Sequence, residues 1–455
     1  MTAGADPKVN HTAEIAARVV RLRFEDLDSA TIAMVKRLIA DGIAVAVAGS
    51  RERAPALIAE YAREQGCREQ STVWSFGLRT SPAYAALANA ASMHVLDFEP
   101  MSSPPTHAVS PTVPVALALA EALGKSGRDV VTACAKGFEM QGRVLAAASH
   151  ARGSLPFHTP GVVGVTGSTA AASHLHGLDA GQLAHAFGIA TSRCAGLSAN
   201  TGSMVKCTHC GNAAAAGLEA ARLAQGGFVA HPNIFDAPRG YVSTFFPEHF
   251  DFDTLLGFGK PFRCVDPGMA IKFYPSKYPT HFVITAALGV RSRVGDPRRI
   301  RQVRILTPDI DDADRPSPRS GLEGKFSFQY TASAALLDGR VGINSFTDAR
   351  RFAPDLVDLL GKCTVVRDAT LSNDTRNMRV EVQVTLDDGA THAEVCTRPP
   401  GSWGQPVDPV QHGDKIRDCL GTCFDTKRIE EILGLLDDLE RANAADVGRL
   451  IGLLA

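Results

Sequence analysis

The sequence predicts a mainly α protein built from a large all-helical domain and a smaller α+β domain. First, residues 81–227 contain recurrent runs of Ala and Leu that end at Gly, a composition typical of closely packed helices. Second, alternating apolar and polar residues appear after about residue 264 and indicate strands. Third, helical periodicity returns near the C-terminus. We therefore expect an all-helical domain over 1–264, rejoined by helices of 410–455, and an α+β domain over 265–409.

The helical domain begins with two helical patterns, over residues 12–24 and 28–49. Asp28 or Ser29 is suited to cap the second helix, because its side-chain oxygen can accept from a free backbone N–H. The Ala-rich helices that follow are interrupted by Gly and by charged residues. They are therefore too short for membrane spans, which need about 18 uninterrupted apolar residues.

The second domain is predicted from four patterns. A helix is expected over 280–293, a strand over 298–308, and a short strand entering a helix over 325–339. Residues 378–398 predict a hairpin, because two alternating runs flank an Asp-Asp-Gly turn. A linker rich in Pro and Gly, residues 398–409, then leads back to the helical domain.

Composition excludes several classes of function. The net charge of −1 gives no reason to expect a nucleic acid or a membrane surface as a partner. The N-terminus lacks a basic region followed by an apolar core, so no signal peptide is predicted. The ten cysteines follow no regular framework, which favours reduced thiols in the cytoplasm.

The loop 271–281, IKFYPSKYPTH, is the richest in chemical groups. Its two prolines disfavour a helix through it, and an apolar run follows. The loop could thus present polar side chains at the start of a helix, where they would bind a carboxylate. These side chains are Lys272, Tyr274, Lys277 and His281. A Pro-rich surface turn with solvated lysines explains the same residues and stays open as an alternative.

Three further polar clusters interrupt the apolar helical sequence, at residues 94–107, 156–161 and 202–211. A histidine in such a cluster is often a capping or packing group, and His94 could bond to backbone while Glu99 is a solvated acid. Lys206 is different, because a cation is poorly placed near the start of a helix. A lysine beside free N–H groups there would suit an anion.

Metal and nucleotide sites are not predicted. Cys207 and Cys210 form one C-x-x-C without a second pair at structural spacing, which is weak support for zinc. The glycine-rich stretches match no dinucleotide-binding, P-loop or nucleophile-elbow motif. What remains is a site of His, Lys, Asp and Tyr without a cofactor. Such groups suit proton transfer next to a substrate carboxylate.

The clusters, in their order and spacing, resemble the MmgE/PrpD family of 2-methylcitrate dehydratase, cis-aconitate decarboxylase and iminodisuccinate epimerase. The similar motifs are HVLDFE, THAVSPTVPVALALAE, KGFEMQGRV, FHTPGVVGVTGSTAAAS, GSMVKCTHCGNAAAAGLEAARLAQGGF, IKFYPSKYPTH and FSFQYTASAAL. Together they run along most of the chain.

The resemblance implies a helical domain with a smaller α+β lid domain, a homodimer, and no metal or organic cofactor. Carried over by position, it implies a catalytic set made of Asp97, His107, His158, Lys206, Lys272 and Tyr330. It also implies a supporting set made of His209, Tyr274, Lys277 and His281. Lys206 and Lys272 would bind carboxylates, His107 and His158 would donate and accept protons, and Asp97 would orient a histidine or take a proton. Tyr330 would close the site from the lid.

The chain departs from the family pattern at several positions. Glu99 and Pro100 replace two acids, Phe138 replaces a Tyr, and Lys277 lies where the family's loop differs.

From the resemblance we expect a cytoplasmic lyase, a dehydratase or decarboxylase, acting on a small di- or tricarboxylate. An epimerase of a dicarboxylate, or a catalytically silent carboxylate-binding protein, remains an alternative.

Overall fold

The computed structural model describes residues 10–148 and 155–455. The chain divides into two compact units. The first comprises the described parts of Met1–Val95 and Glu99–Ala270 together with Pro409–Ala455, and the second comprises Leu96–Phe98 and Ile271–Asp408. The domain limits predicted from the sequence remain a prediction. Residues 1–9 lie outside the described residues. The predicted helical domain includes them, and the signal-peptide prediction depends on them.

The first unit is built mainly from helices. Up to residue 270 they are α1 His11–Arg21, α2 Ser29–Gly49, α3 Arg53–Glu64, α4 Pro82–Val95, α5 Val109–Leu123, α6 Gly127–Ala147, α7 Thr159–Val162, α8 Gly164–His176, α9 Ala180–Thr191, α10 Val205–Gln225, α11 Tyr241–Phe245 and α12 Phe252–Leu256. The predicted cap of α2 is confirmed at Asp28, whose side chain accepts from the N–H of Thr31. Gly124 and Gly177 end α5 and α8 in the left-handed conformation.

Helix α10 lies at the centre of the unit and packs on α4, α8, α9 and α5. Small residues make this close packing possible. A β-carbon at Gly217 of α10 would lie 2.1 Å from Ser168 Oγ of α8. The Ala-rich composition therefore acts by letting helix backbones approach, as the sequence predicted.

A two-stranded antiparallel ribbon also belongs to this unit, so it is not entirely helical. It comprises β1 Ser71–Val73 and β2 Leu78–Thr80. These strands are three residues long, too short for the alternation from which strands are predicted.

The second unit contains five helices within the described residues: α13 Tyr278–Val294, α14 Gly321–Gly324, α15 Phe328–Asp338, α16 Asp348–Arg351 and α17 Pro354–Leu360. Its strands are β3 Ile300–Pro308, β4 Cys363–Asp368, β5 Val380–Leu386 and β6 Thr391–Cys396. They form one sheet in the order β4-β3-β5-β6, in which only the β3–β4 pair is parallel. Alternate residues of β5 are buried, and α13 packs on β5 and β6.

One strand prediction differs from this sheet, and one strand of the sheet was not predicted. The hairpin of β5 and β6 is confirmed, with Gly389 at a positive φ of 85° in its turn. The short strand expected just before α15 is wrong, because Ser327 caps that helix through the N–H of Tyr330. Strand β4 was not predicted, since it pairs only with β3 at the sheet edge and shows no clear alternation of burial.

Three more helices complete the first unit: α18 Pro409–Leu420, α19 Thr426–Asp437 and α20 Ala444–Gly452. A buried contact anchors α18 to α2. Asp41 accepts from His412 Nε2 at 2.9 Å and from Lys415 Nζ at 2.8 and 2.9 Å. The described C-terminal helices therefore pack in the first unit through this buried contact. Within the described residues, no helix has the length and apolarity to cross a bilayer.

Candidate active site

Four histidines and a lysine of the first unit lie together where helices begin or end. His94 lies in the last turn of α4, and His107 lies two residues before α5. His158 caps α7, while Lys206 and His209 lie three residues apart in the first turns of α10, a spacing that puts them on one helix face. Helix ends thus bring residues distant in sequence to one place.

Glu99 is the anion of this cluster and is fully buried. Its Oε1 is in hydrogen-bond contact with His94 Nδ1 and accepts from Ser110 Oγ at 2.5 Å. His107 Nδ1 lies 3.0 Å from the same oxygen. One carboxylate oxygen therefore meets three polar side chains from different segments.

Lys206 meets the opposite edge of His94, with 2.8 Å between its Nζ and His94 Nε2. The lysine is 8% exposed and His94 is 1% exposed. A continuous buried array thus runs from the Lys206 ammonium through His94 to the Glu99 carboxylate.

His158 and His209 form the neighbouring pair, with 3.0 Å between their Nδ1 atoms. The His158 ring centroid lies 5.3 Å from that of His94. The backbone beside His158 is tightly placed: its N–H donates to the carbonyl of Gly196, and a β-carbon at Gly161 would lie 2.1 Å from the carbonyl oxygen of Ala195. The glycines of this segment therefore permit the close approach that fixes His158.

Burial and the Lys206 charge set the protonation of the cluster. Burial, followed by Lys206, lowers the pKa of His94 to about 3. The same two causes hold the pKa of His158 well below 6.5. Burial opposes ionisation of Glu99, but the contacts with His107 and His94 outweigh it and hold the Glu99 pKa well below its usual range. Near neutral pH the imidazoles of His94 and His158 are therefore neutral, and they lie beside a buried anion.

Three of these residues also have the geometry to approach a metal ion. Among the described residues, His94, Glu99 and His107 have ligand atoms that all lie within 4.8 Å of one another, and zinc accepts such ligands. In this arrangement they already contact each other, and the Lys206 ammonium would lie beside any bound cation. The group therefore fits an internal acid–base network better than a metal centre. Cys207 and Cys210 lie on α10, where the Cys207 thiol donates to the carbonyl of Met204.

In the second unit, Lys272 and Asp97 form a buried ion pair. Lys272 Nζ also donates to the Asp97 carbonyl at 2.9 Å and to the Ser276 carbonyl at 3.2 Å. Asp97 adopts a positive φ of 52°, which is uncommon for a residue other than glycine. The lysine thus holds both the side chain and the backbone of a strained aspartate.

The rest of the loop 271–281 surrounds His281. That residue is fully buried, its Nε2 lies 3.3 Å from the Ser276 carbonyl oxygen, and its ring lies 5.2 Å from Tyr274 and 5.1 Å from Tyr278. The alternative of a plain surface turn is therefore wrong for most of the loop. The surface-turn alternative describes Lys277 better, because Lys277 lies nearer the surface and forms an ion pair with the exposed Asp312.

Tyr330 and Lys325 lie in the same unit. Tyr330 is fully buried, and its hydroxyl donates to the Ser345 carbonyl at 2.5 Å. Lys325 is 2% exposed and donates to the Leu96 carbonyl at 3.2 Å. Lys325 and Lys272 therefore bind successive carbonyls of the segment Leu96–Phe98.

The predicted residues thus fall into two sets. His107, His158, Lys206 and His209 lie together in the first unit. Asp97, Lys272, Tyr274, Lys277, His281 and Tyr330 all belong to the second, where Asp97 pairs with Lys272. Sequence reasoning missed Lys325 and Ser110, and it gave His94 and Glu99 no role in the site. The adjacency of His94 and Glu99 to Asp97 was the one signal that could have indicated them.

Comparison with known proteins matches this chain along most of its length. The MmgE/PrpD N-terminal domain matches residues 13–253, and the MmgE/PrpD C-terminal domain matches residues 274–440. The chain is 31% identical over 443 residues to cis-aconitate decarboxylase of Homo sapiens, covering 94% of this chain and 92% of that protein. It is 30% identical over 444 residues to the Mus musculus enzyme, covering 94% and 90%.

A fungal relative is more distant. The chain is 26% identical over 488 residues to cis-aconitate decarboxylase of Aspergillus terreus, covering 100% of this chain and 97% of that protein. The resemblance drawn from the motifs is therefore confirmed, as are the mainly α fold with an α+β part and the expectation of a lyase of this type. This chain belongs to the MmgE/PrpD family.

Proposed function

We propose that this protein decarboxylates cis-aconitate to an unsaturated five-carbon dicarboxylate, without a metal or organic cofactor. The observation that carries the proposal is the buried array of Lys206, His94, Glu99 and His107. It offers a cation, the neutral imidazole of His94, the imidazole of His107 and an anion in one place, in a chain related over its length to cis-aconitate decarboxylases.

The chemistry of the reaction requires such groups. When the C–C bond to a carboxylate breaks, CO₂ leaves and the electron pair stays on the remaining carbon. That carbon must then take a proton, so each turnover consumes one proton. Cations stabilise the charge that develops, and a positioned imidazole supplies the proton.

We assign roles on this basis. Lys206 and Lys272 bind substrate carboxylates, and His107 donates the one proton that each turnover consumes. Burial, followed by the Lys206 charge, keeps the pKa of His158 well below 6.5, so His158 is the neutral proton acceptor that the alternative reactions, dehydration or epimerisation, would require. Asp97 orients the Lys272 ammonium, and Tyr330 completes the catalytic set that the family resemblance implies.

The proposal also includes four supporting residues, which are His209, Tyr274, Lys277 and His281. The homodimer implied by the resemblance belongs to the same proposal.

Proton NMR in D₂O tests the reaction directly. The protein is incubated separately with cis-aconitate, methylcitrate and citrate. We expect that cis-aconitate alone is consumed and that its product carries one carbon-bound deuterium from solvent. Prior treatment with a chelator should leave the rate unchanged.

Variants sharpen this test. Lys206→Met should abolish turnover, while Lys427→Met, at an exposed position, should match the wild type. Dehydration of methylcitrate would replace the proposal with a dehydratase. Deuterium exchange without net conversion would indicate an epimerase, and no turnover of any of the three acids would refute a tricarboxylate lyase.

A further inference from the structure

Glu99 occupies a position where the chain departs from its family, and that departure suggested a lost acid. In the structure it is fully buried and its Oε1 meets His94, His107 and Ser110. The residue that seemed to weaken the site is therefore the anion around which two histidines are arranged.

The hydrogen-bonding capacities of its neighbours define the protonation of His94. A lysine ammonium can only donate, and a carboxylate can only accept. Since Lys206 Nζ lies 2.8 Å from His94 Nε2 and Glu99 faces His94 Nδ1, Nε2 accepts and Nδ1 carries the proton. His94 is thus a neutral bridge between opposite charges.

The same oxygen acts on His107. His107 Nδ1 lies 3.0 Å from Glu99 Oε1. At that distance a bare Nδ1 would place its lone pair near a carboxylate, which is repulsive, whereas the proton of a protonated Nδ1 is attracted by the charge. Burial makes this difference larger, because both groups are screened little by water: Glu99 is 0% exposed and His107 is 8% exposed. Since Nδ1 keeps its proton towards Glu99, a proton that His107 gives up comes from its other nitrogen, Nε2.

We propose that Glu99 is a positioning residue that holds a proton on Nδ1 of both His94 and His107, so that His107 exchanges its catalytic proton at Nε2. The use of that proton rests on the proposed function, whereas the protonation pattern does not. In the proposed reaction His107 Nε2–H gives its proton to the carbon that loses CO₂. The resulting neutral ring keeps Nδ1–H towards Glu99 and regains a proton from water.

Other groups around Glu99 agree with a single fixed anion. Cys210 of α10 faces it, and burial followed by the Glu99 charge raises the pKa of that thiol well above 9, so the thiol stays neutral. Among the described residues, Glu99 Oε2 has no hydrogen-bond partner. The contacts of the carboxylate are therefore concentrated on Oε1.

Nitrogen-15 NMR of protein labelled at histidine tests the protonation pattern without any assay of activity. The His94 and His107 signals are assigned from the variants His94→Gln and His107→Gln. We expect the wild type to show a protonated Nδ1 on both rings. A bare Nδ1 on either ring would overturn the inference, even if cis-aconitate is the substrate.

Two substitutions separate the effect of the acceptor from that of the charge. Glu99→Gln keeps an oxygen acceptor but removes the charge, so both rings should keep Nδ1–H while kcat falls at least tenfold with little change in KM. Glu99→Leu removes the acceptor, so His107 should shift towards Nε2–H, whereas His94 should keep Nδ1–H because Lys206 still donates to it.

Glu430→Gln is the matched control, since Glu430 forms an exposed pair with Arg417; it should change none of these signals. If Glu99→Leu does not fold, the wild-type spectrum and the kcat of Glu99→Gln decide the question. Wild-type kcat in Glu99→Gln would overturn the inference. If no tricarboxylate is turned over at all, the proposed function fails, while the nitrogen-15 spectra still test the role of Glu99.

Discussion

Lys272 is a buried ammonium that pairs with the Asp97 carboxylate and also donates to two backbone carbonyls. The pair is buried on both sides, since Lys272 is 0% and Asp97 is 3% exposed. Removal of one charge from such a pair takes away the compensation that the other charge receives from it, which typically costs about 3–5 kcal/mol. The two residues therefore act as one unit in stability.

We predict that Lys272→Met lowers the free energy of unfolding by about 3–5 kcal/mol, measured by urea denaturation. The double variant Lys272→Met with Asp97→Asn should be less destabilised than Lys272→Met alone, because the buried charge that Lys272 compensates is removed together with the lysine. Lys277→Met, which breaks only the pair with the exposed Asp312, should cost less than about 1 kcal/mol. Equal losses for Lys272→Met and Lys277→Met would contradict this account.

At the scale of elements, the three residues Leu96–Phe98 belong to the second unit, although the chain on both sides belongs to the first. Lys325 donates to the Leu96 carbonyl and Lys272 donates to the Asp97 carbonyl. Two buried lysines from separate parts of the second unit thus hold this segment, which includes the positive φ of Asp97.

We predict that Lys325→Met destabilises the protein by about 1–3 kcal/mol, because the buried Leu96 carbonyl loses this donor. Urea denaturation measures the loss. Lys427→Met, at an exposed helix position, should stay within about 0.5 kcal/mol of the wild type. If the two variants have the same stability, Lys325 does not hold the segment.

The loop 271–281 illustrates how far element-level reasoning reaches. Its prolines predicted a loop that leads into a helix, and α13 begins at Tyr278 with Pro279 in its first turn, where proline is favoured. The strand expected before α15 failed because Ser327 caps that helix. Local sequence therefore located the boundaries, while a side-chain hydrogen bond decided the conformation at one of them.

For the whole molecule, histidines that are kept neutral by full or partial burial make stability depend on pH. Burial lowers the pKa of His94 and His174 to about 3 and that of His176 to about 4, and it holds that of His158 well below 6.5. Below about pH 6.5 the unfolded chain protonates these residues and the folded chain does not. The unfolded state then binds more protons, so the free energy of unfolding falls as the pH decreases.

We predict that stability is nearly constant above pH 7 and decreases between pH 6.5 and 4.5, by up to about 1.4 kcal/mol per pH unit for each such histidine. Urea denaturation at pH 7.5 and 5.5 measures the difference. His94→Gln should reduce the slope, whereas the exposed His231→Gln should leave it unchanged. A stability that rises towards pH 5.5 would be inconsistent with neutral buried histidines.

Local periodicity and motifs in a fixed order were enough to predict the helical and α+β parts, the β5–β6 hairpin and the family, and they narrowed the cap of α2 to Asp28 or Ser29. The pairing of the polar residues depends instead on tertiary contacts. In the sequence, Glu99 is only a departure from a motif. In the structure, α4, α5 and the segment between them place His94, His107 and Ser110 next to Glu99 Oε1. Lys325 lies 229 residues from the carbonyl that it binds. A buried charge or carbonyl needs a partner of opposite charge or a hydrogen-bond partner. Which residue supplies that partner depends on the packing of the folded core and not on any local sequence pattern.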